Sequence, residues 1–211
     1  MTTTDTDLLL TTTRSVRRRL DLTRAVPKEL LEECLSIALQ APSGANAQSW
    51  RFIVVNDDQT RRALAALYKD AWDQYLPSVS FDYGPDDPRA LALSDVVGSA
   101  QYLADNLQHV PTLVVPCISP RVDDAPFFVT ATVLGSIFPA VWSFMLAARS
   151  RGLGTTLTTL TVMHDREVSD LLGIPDSHAH CGLVPVAYHT GESFRPARRL
   201  TVDSVVSYDR W

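Results

Sequence analysis

The chain has 211 residues, of which 45% are hydrophobic and 20% charged, a balance that suits one substantial core and excludes wholesale disorder, collagen and coiled-coil arrays. With 19 Lys and Arg against 24 Asp and Glu, the formal net charge is -5, so there is no general attraction to nucleic acid. Cys34, Cys117 and Cys181 are far apart and never form a C-x-x-C pair, which suits a reducing cytoplasm and argues against a disulfide framework or thiolate zinc site. A single domain is expected over residues 1–211.

Residues 1–20 hold only Leu8, Leu9 and Leu10 as a consecutive apolar run, short of the stretch of about 7 to 15 in a secretory signal. From Pro27, apolar Leu30, Leu31, Cys34, Ile37 and Ala38 recur at helical spacing, so a helix is expected to about Gln40. It stops at Ala41-Pro42-Ser43-Gly44, because proline lacks an amide donor and restricts the residue before it. Trp50 to Val55 reads as a strand, and Asn56-Asp57-Asp58 can cap a helix from about Gln59 to Tyr75 that buries Leu64, Leu67, Tyr68 and Trp72. Residues 76–89 carry Pro77, Gly84, Pro85, Pro88 and several aspartates, the composition of a surface excursion or lid.

Ser94 to Gln108 is expected to be helical and Thr112 to Ile118 to be a buried strand. Residues 125–148 contain no charged side chain and by length alone are a membrane-span candidate. Pro126, Pro139, Gly135 and the hydroxyls of Thr130, Thr132, Ser136 and Ser143 interrupt the run, so a core helix over Phe127–Ser150, bent at Pro139, is the preferred reading. Arg151-Gly152-Leu153-Gly154 ends that helix, a short one follows over Val162–Leu172, and Leu183 to Tyr188 reads as a strand that Pro185 would place at a sheet edge. Strands separated by helices imply a mixed α and β fold with helices covering the sheet.

Four segments supply groups suited to an anionic, planar ligand. Arg14-Ser15-Val16-Arg17 offers guanidinium groups and a hydroxyl to a phosphate. Pro42-Ser43-Gly44-Ala45-Asn46-Ala47-Gln48-Ser49-Trp50 sets amide side chains, which both donate and accept, in a loop of small residues. Gly152-Leu153-Gly154-Thr155 and the threonines after it allow close backbone approach, although they fall far short of a dinucleotide fingerprint. Phe194-Arg195-Pro196-Ala197-Arg198-Arg199-Leu200 returns positive charge late in the chain. Taken singly, each also fits an ordinary turn or solvated surface.

In order and spacing these segments resemble the FMN-dependent nitroreductase family: Arg-Ser-x-Arg at 14–17, Pro-Ser-x-x-Asn-x-Gln-x-Trp at 42–50, Gly-Leu-Gly-Thr at 152–155 and Arg-Arg-Leu at 198–200. Thr13 and Ser49 stand where the family often has arginine and proline. The resemblance covers essentially the whole chain and implies an α+β fold, a central mixed sheet flanked by helices, and an intertwined homodimer with FMN at the subunit interface. It implies that Arg14, Ser15 and Arg17 bind the FMN phosphate and ribityl chain, with Arg198 or Arg199 closing that site. It also implies that Pro42, Ser43, Asn46 and Gln48 reach the flavin from the partner subunit, and that backbone around Thr158, Thr159 and Leu160 lies beside the ring's N5 edge.

The implied activity is ping-pong hydride transfer from NADH or NADPH to a nitroaromatic, quinone or related small conjugated acceptor, with the chemistry on flavin N5 and no catalytic side chain. Dehalogenation and flavin cleavage are specialised reactions of related proteins. Tyr68, Trp72, Tyr75, Phe81 and Tyr83 fall where family members cover the ring, so Trp72 and Tyr83 are candidate lid residues, with ordinary packing as the alternative.

Three other readings compete. Asp176-Ser177-His178-Ala179-His180-Cys181 offers metal-ligand types, but no H-E-x-x-H or paired C-x-x-C motif accompanies it, so no metal is expected. A serine-hydrolase reading lacks a G-x-S-x-G elbow. A non-catalytic FMN-binding or storage protein would share the fold without turnover. No nucleic-acid or membrane partner is expected.

Overall fold

The computed structural model describes residues 4–79, 83–84, 87–192 and 194–211. A short first helix, α1 (Asp5–Thr12), is fixed by a capping box in which Thr4 Oγ1 accepts from the Asp7 amide and the Asp7 carboxylate accepts from the Thr4 amide. The helix expected from Pro27 is α2 (Lys28–Ala38), which buries Leu31, Cys34 and Ala38 on one stripe. β1 (Trp50–Val55) has the expected bounds. It leads into α3 (Asp58–Tyr75), whose N-cap Asp57 accepts from the Thr60 amide and hydroxyl.

The expected excursion over 76–89 is shorter than its composition suggests. A 3-10 turn occupies Leu76–Ser78, and α4 (Pro88–Asn106) starts six residues before the expected Ser94, with Asp87 as its cap and proline in the first turn. Then come β2 (Thr112–Ile118) and the long α5 (Phe127–Ser150), both with the expected bounds. The chain continues through β3 (Leu153–Thr155), a 3-10 turn at Leu160–His164, α6 (Asp165–Leu172), β4 (Ala179–His180) and β5 (Val184–Tyr188).

The sheet order is β1-β2-β5-β3, with β4 beside β2, and the ladders between these strands are antiparallel. Parallel pairing enters at the bridge between Ser15 and Thr155. β2 lies inside the sheet and is buried along its whole length, so it reads as a continuous apolar run. Leu113, Val115 and Cys117 face the core under α3 and α4, whereas Val114 and Ile118 face the core under α2 and α5.

One expectation is corrected here, and the preferred reading of the charge-free run holds. β5 is an interior strand, between β2 and β3. Its Pro185 opposes Leu113, but the β3 ladder ends at Val186, so the proline lies where pairing on that side has stopped. The charge-free run is a core helix: Val133, Ile137, Ala140, Val141, Phe144 and Ala148 of α5 are buried, and it packs against α2 and the sheet. Among the described residues α5 is the helix long and apolar enough to span a bilayer, yet half of its most apolar window is buried inside the protein.

β4 and β5 are one strand interrupted by a bulge. Ala179 and His180 pair with Ile118 and Cys117, while Val184 to Val186 pair with Val114 to Thr112, a register that leaves one extra residue between them. Gly182 lies in this interruption at φ +140, and a Cβ there would come 2.5 Å from the Thr158 carbonyl oxygen. The bulge turns Leu183 toward Thr158, and the two residues exchange both backbone hydrogen bonds, at 2.7 and 2.9 Å.

Candidate functional site

The site is built around β3. Val16 N–H donates to the Thr155 carbonyl at 2.9 Å, laying residues 14–17 along the outer side of that strand. Gly154 permits this approach, since a Cβ there would sit 2.8 Å from Val16 Cγ1. Three residues after Thr155 comes Thr158, pinned to Leu183. The arginine segment therefore bridges to the end of β3, and the Thr158–Leu160 segment follows that strand directly.

Beside that strand lies an open cavity of about 430 Å³. Arg14, Arg17, Arg18, Arg19 and Arg195 line it with Ser15, Ser99 and Phe194, and none of these lining residues is acidic. Such a surface attracts an anion with several acceptor oxygens. Arg17 is half-buried and its Nη1 donates to Ser99 Oγ at 3.3 Å. Burial pushes its pKa below the ordinary arginine value, with the nearby Tyr68 opposing that shift. Arg14 is exposed and donates to the Arg195 carbonyl at 3.0 Å, which ties the late basic segment to the early one. Arg19 and Arg149 both stack on Phe194, at 4.1 and 4.3 Å from its ring centre.

Tyr68 connects the two halves. It is buried, its phenol pKa is raised by that burial, and the nearby Thr158 side chain and the charge of Arg17 oppose the rise. Thr159 is exposed, and Thr158 and Leu160 are half-buried, so this segment borders solvent beside the basic cavity.

The remaining sequence-derived residues fall in three places. Pro42, Ser43, Asn46 and Gln48 do not line the arginine cavity; they sit on a loop seated on α5, where the Gly44 amide donates to Ser136 Oγ at 3.0 Å. Gln48 Nε2 donates to Asn46 Oδ1 at 3.0 Å, and Ala45, Asn46 and Gln48 all have φ near +50. Left-handed backbone at three nearby non-glycine residues is strained, which is a mark of functional loops. Arg198 and Arg199 are exposed on the C-terminal segment and outside the cavity lining, where Arg195 stands instead.

The lid reading of Trp72 is corrected. Trp72 is 4% exposed, packs in the core, and donates from Nε1 to Gln101 Oε1 at 2.7 Å. Its position on the buried stripe of α3, with Leu64, Tyr68 and Ala71, excludes a place on a mobile cover. Tyr83 is half-buried beneath the Arg89 guanidinium, 4.4 Å from the ring centre. Phe81 lies outside the described residues.

His178 and His180 are engaged separately. Ser177 Oγ is 2.9 Å from His178 Nδ1, and His180 Nδ1 donates to Asp165 Oδ1 at 2.9 Å. Among the described residues no cluster of three or more His, Cys, Asp or Glu is arranged to hold a metal. Sequence reasoning passed over Ser99, Arg195 as a wall of the cavity, and the His180–Asp165 pair. Arg195 stood within a basic segment already singled out, whereas Ser99 and Asp165 carried no motif.

Residues 10–188 match the profile of the Nitroreductase family. The chain belongs to that family. This nitroreductase-family chain is similar to an NADH dehydrogenase of Thermus thermophilus, 31% identical over 195 residues that cover 92% of this chain and 90% of the relative. It is also similar to a chloronitrobenzene nitroreductase of Comamonas testosteroni, 26% identical over 81% of this chain and 80% of that one. Its fold resembles the crystal structure of an FMN- and NADPH-dependent nitroreductase from a Sphigopyxis strain, with a TM-score of 0.70, 21% identity, and coverage of 96% and 98%. It likewise resembles an iodotyrosine deiodinase bound to FMN and 3-iodo-L-tyrosine, with a TM-score of 0.71, 23% identity, and coverage of 94% and 96%.

Proposed function

We propose that this nitroreductase-family chain is an FMN-dependent oxidoreductase that takes hydride from NADH or NADPH and delivers it to small conjugated acceptors such as nitroaromatics or quinones. The observation that carries the reading is the bridge between Ser15 and Thr155 at the end of β3, which sets an arginine-lined cavity beside the strand that leads into the Thr158–Leu160 segment. A ligand with a phosphate at one end and a polar ring edge at the other matches that layout. Its relatives, described as an NADH dehydrogenase and a chloronitrobenzene nitroreductase, point to the same chemistry.

The residues present fit FMN. Arg17 is desolvated without an acidic partner in the cavity, and a phosphate dianion would supply the missing counter-charge. Arg14 and Ser15 are exposed on the same segment and add donors. Bound FMN would supply the redox chemistry at N5, and the protein would supply binding, orientation and access. The Thr158–Leu160 backbone, fixed by Leu183, is the part of this chain set to donate to the ring edge.

The active unit is proposed to be a homodimer. Phe127 and Phe128, at the start of α5, are 86% and 78% exposed, and the strained 42–48 loop rests on the same helix through Ser136. One surface thus offers both apolar area for a second copy and the loop residues Pro42, Ser43, Asn46 and Gln48 to its flavin. Initial rates of NADH or NADPH oxidation, measured at several fixed quinone or nitroaromatic concentrations, test the reading. Parallel double-reciprocal lines are expected. Bound flavin that stays oxidised with both nucleotides would overturn it and favour the storage role.

A further inference from the structure

The segment from Thr156 to Asp165 is fastened at both ends to one short stretch of chain. At its start, Thr158 exchanges two backbone hydrogen bonds with Leu183. At its end, Asp165, the first residue of α6, accepts from His180 Nδ1 at 2.9 Å. His180 and Leu183 lie three residues apart, on either side of the Gly182 bulge. Displacing His180 from Asp165 therefore loosens the same segment that the bulge holds in register.

The His180–Asp165 contact is well buried, with the His180 side chain fully inaccessible and that of Asp165 20% exposed. A carboxylate only accepts, so Nδ1 carries the proton, while Nε2 is buried without a hydrogen-bond partner among the described residues. Arg121 completes the arrangement from the loop before α5: its Nη2 is 2.5 Å from Asp165 Oδ2, its other bonds go to Asp123, and Nη1 donates to the His178 carbonyl. Asp165 thus joins three elements: β4, α6 and the approach to α5. On the opposite side of the segment, α3 brings Tyr68 close to Thr158 and Asp70 Oδ2 within 2.8 Å of His164 Nε2.

We propose that His180 and Asp165 are positioning residues that set the Thr158–Leu160 backbone for the ring of the cofactor. The proposal rests on the function inferred above. Neither side chain lines the arginine cavity, so both act through the segment they hold. A backbone donor fixed at the N5 edge favours the oxidised flavin, whose N5 accepts a hydrogen bond, over the reduced form, whose N5 carries hydrogen, and loosening it weakens that preference.

Two readouts test this, one of them without cofactor. In flavin-free protein, hydrogen exchange at the amides of residues 156–162 is expected to speed up at least tenfold in His180→Ala and Asp165→Ala. His180→Asn, which keeps a donor near the Nδ1 position, is expected to stay near wild type even if the alanine variants fold poorly. In FMN-loaded protein, the ratio of affinities for reduced and oxidised flavin is expected to rise about tenfold in His180→Ala, which is about 30 mV for a two-electron couple. A purely structural role would lower the melting temperature without moving that potential. Wild-type protein that takes up no FMN overturns the function proposed above and this proposal with it. Wild-type protein that binds FMN, with alanine variants that exchange at the wild-type rate or keep its potential, overturns this proposal alone.

Discussion

Replacing Arg17 by alanine is expected to weaken FMN binding about a hundredfold while leaving the flavin-free fold nearly as stable as before. A hydrogen bond to an ionised group contributes about 1.5–3 kcal/mol. A guanidinium can give a phosphate two in parallel, so the loss comes to about 3 kcal/mol, roughly two orders of magnitude in Kd. The cost to the fold is small for a structural reason. Arg17 donates to Ser99 Oγ, no acidic residue lines its cavity, and burial already disfavours its charge, so its removal strands no buried carboxylate. Fluorescence titrations with FMN and with riboflavin, which has no phosphate, separate the two effects. FMN affinity should fall while riboflavin affinity holds, and the melting temperature should stay within about 4 °C, the shift that about 1 kcal/mol causes in a chain of this size. Equal losses for both flavins, or none for either, would refute the phosphate assignment.

Trp72→Ala should cost about 3–5 kcal/mol in urea unfolding, as expected of a large core side chain that also bonds Gln101; a change within about 0.5 kcal/mol would return Trp72 to the surface. Gly182→Ala sets a Cβ 2.5 Å from the Thr158 carbonyl oxygen at φ +140, so a loss of more than about 2 kcal/mol is expected in the same assay, and wild-type stability would contradict the bulge geometry. Burial holds the His180 pKa below its ordinary value of 6.5, with the charge of Asp165 opposing. The unfolded chain therefore takes up protons first as pH falls, and unfolding free energy should decline from about pH 6.5 down to the folded pKa. His180→Asn should flatten that part of the profile, and an unchanged profile would show that His180 is not responsible. Size-exclusion chromatography with light scattering should find a dimer that Phe127→Asp with Phe128→Asp converts to monomer; a double variant that remains dimeric places the interface elsewhere.

Where local chemistry set the outcome, the elements were legible in the sequence. β1 and β2 carry aromatic and β-branched runs, and α5 is bounded by Pro126 and by Arg151-Gly152, so their limits are written locally. α1 was not foreseen because Asp5–Thr12 has little apolar periodicity and depends on the Thr4–Asp7 cap. β3 and β4, of three and two residues, are too short to show a period and exist because β5 and β2 pair with them. Pro185 suggested an edge because its local rule is sound, but where a ladder stops is a tertiary fact. Trp72 shows the same limit: an aromatic residue near a proline-rich stretch looks like a cover until the turn of the helix is known.

The candidate site divides similarly. Arg14, Ser15 and Arg17 were visible as a motif, and the structure puts all three on the wall of one cavity. Arg195 joins them through a backbone carbonyl, a contact no side-chain motif encodes, while Arg198 and Arg199 stay on the exposed tail. Asp165 and His180 meet only because a bulge returns the chain beside α6.

The most direct test is the visible spectrum of the purified protein, with chromatography of whatever cofactor it releases and anaerobic titration with NADH and NADPH. The account predicts a yellow protein that releases FMN and is bleached, while the flavin is bound, by at least one of the two nucleotides. A colourless protein that takes up no added FMN would contradict it.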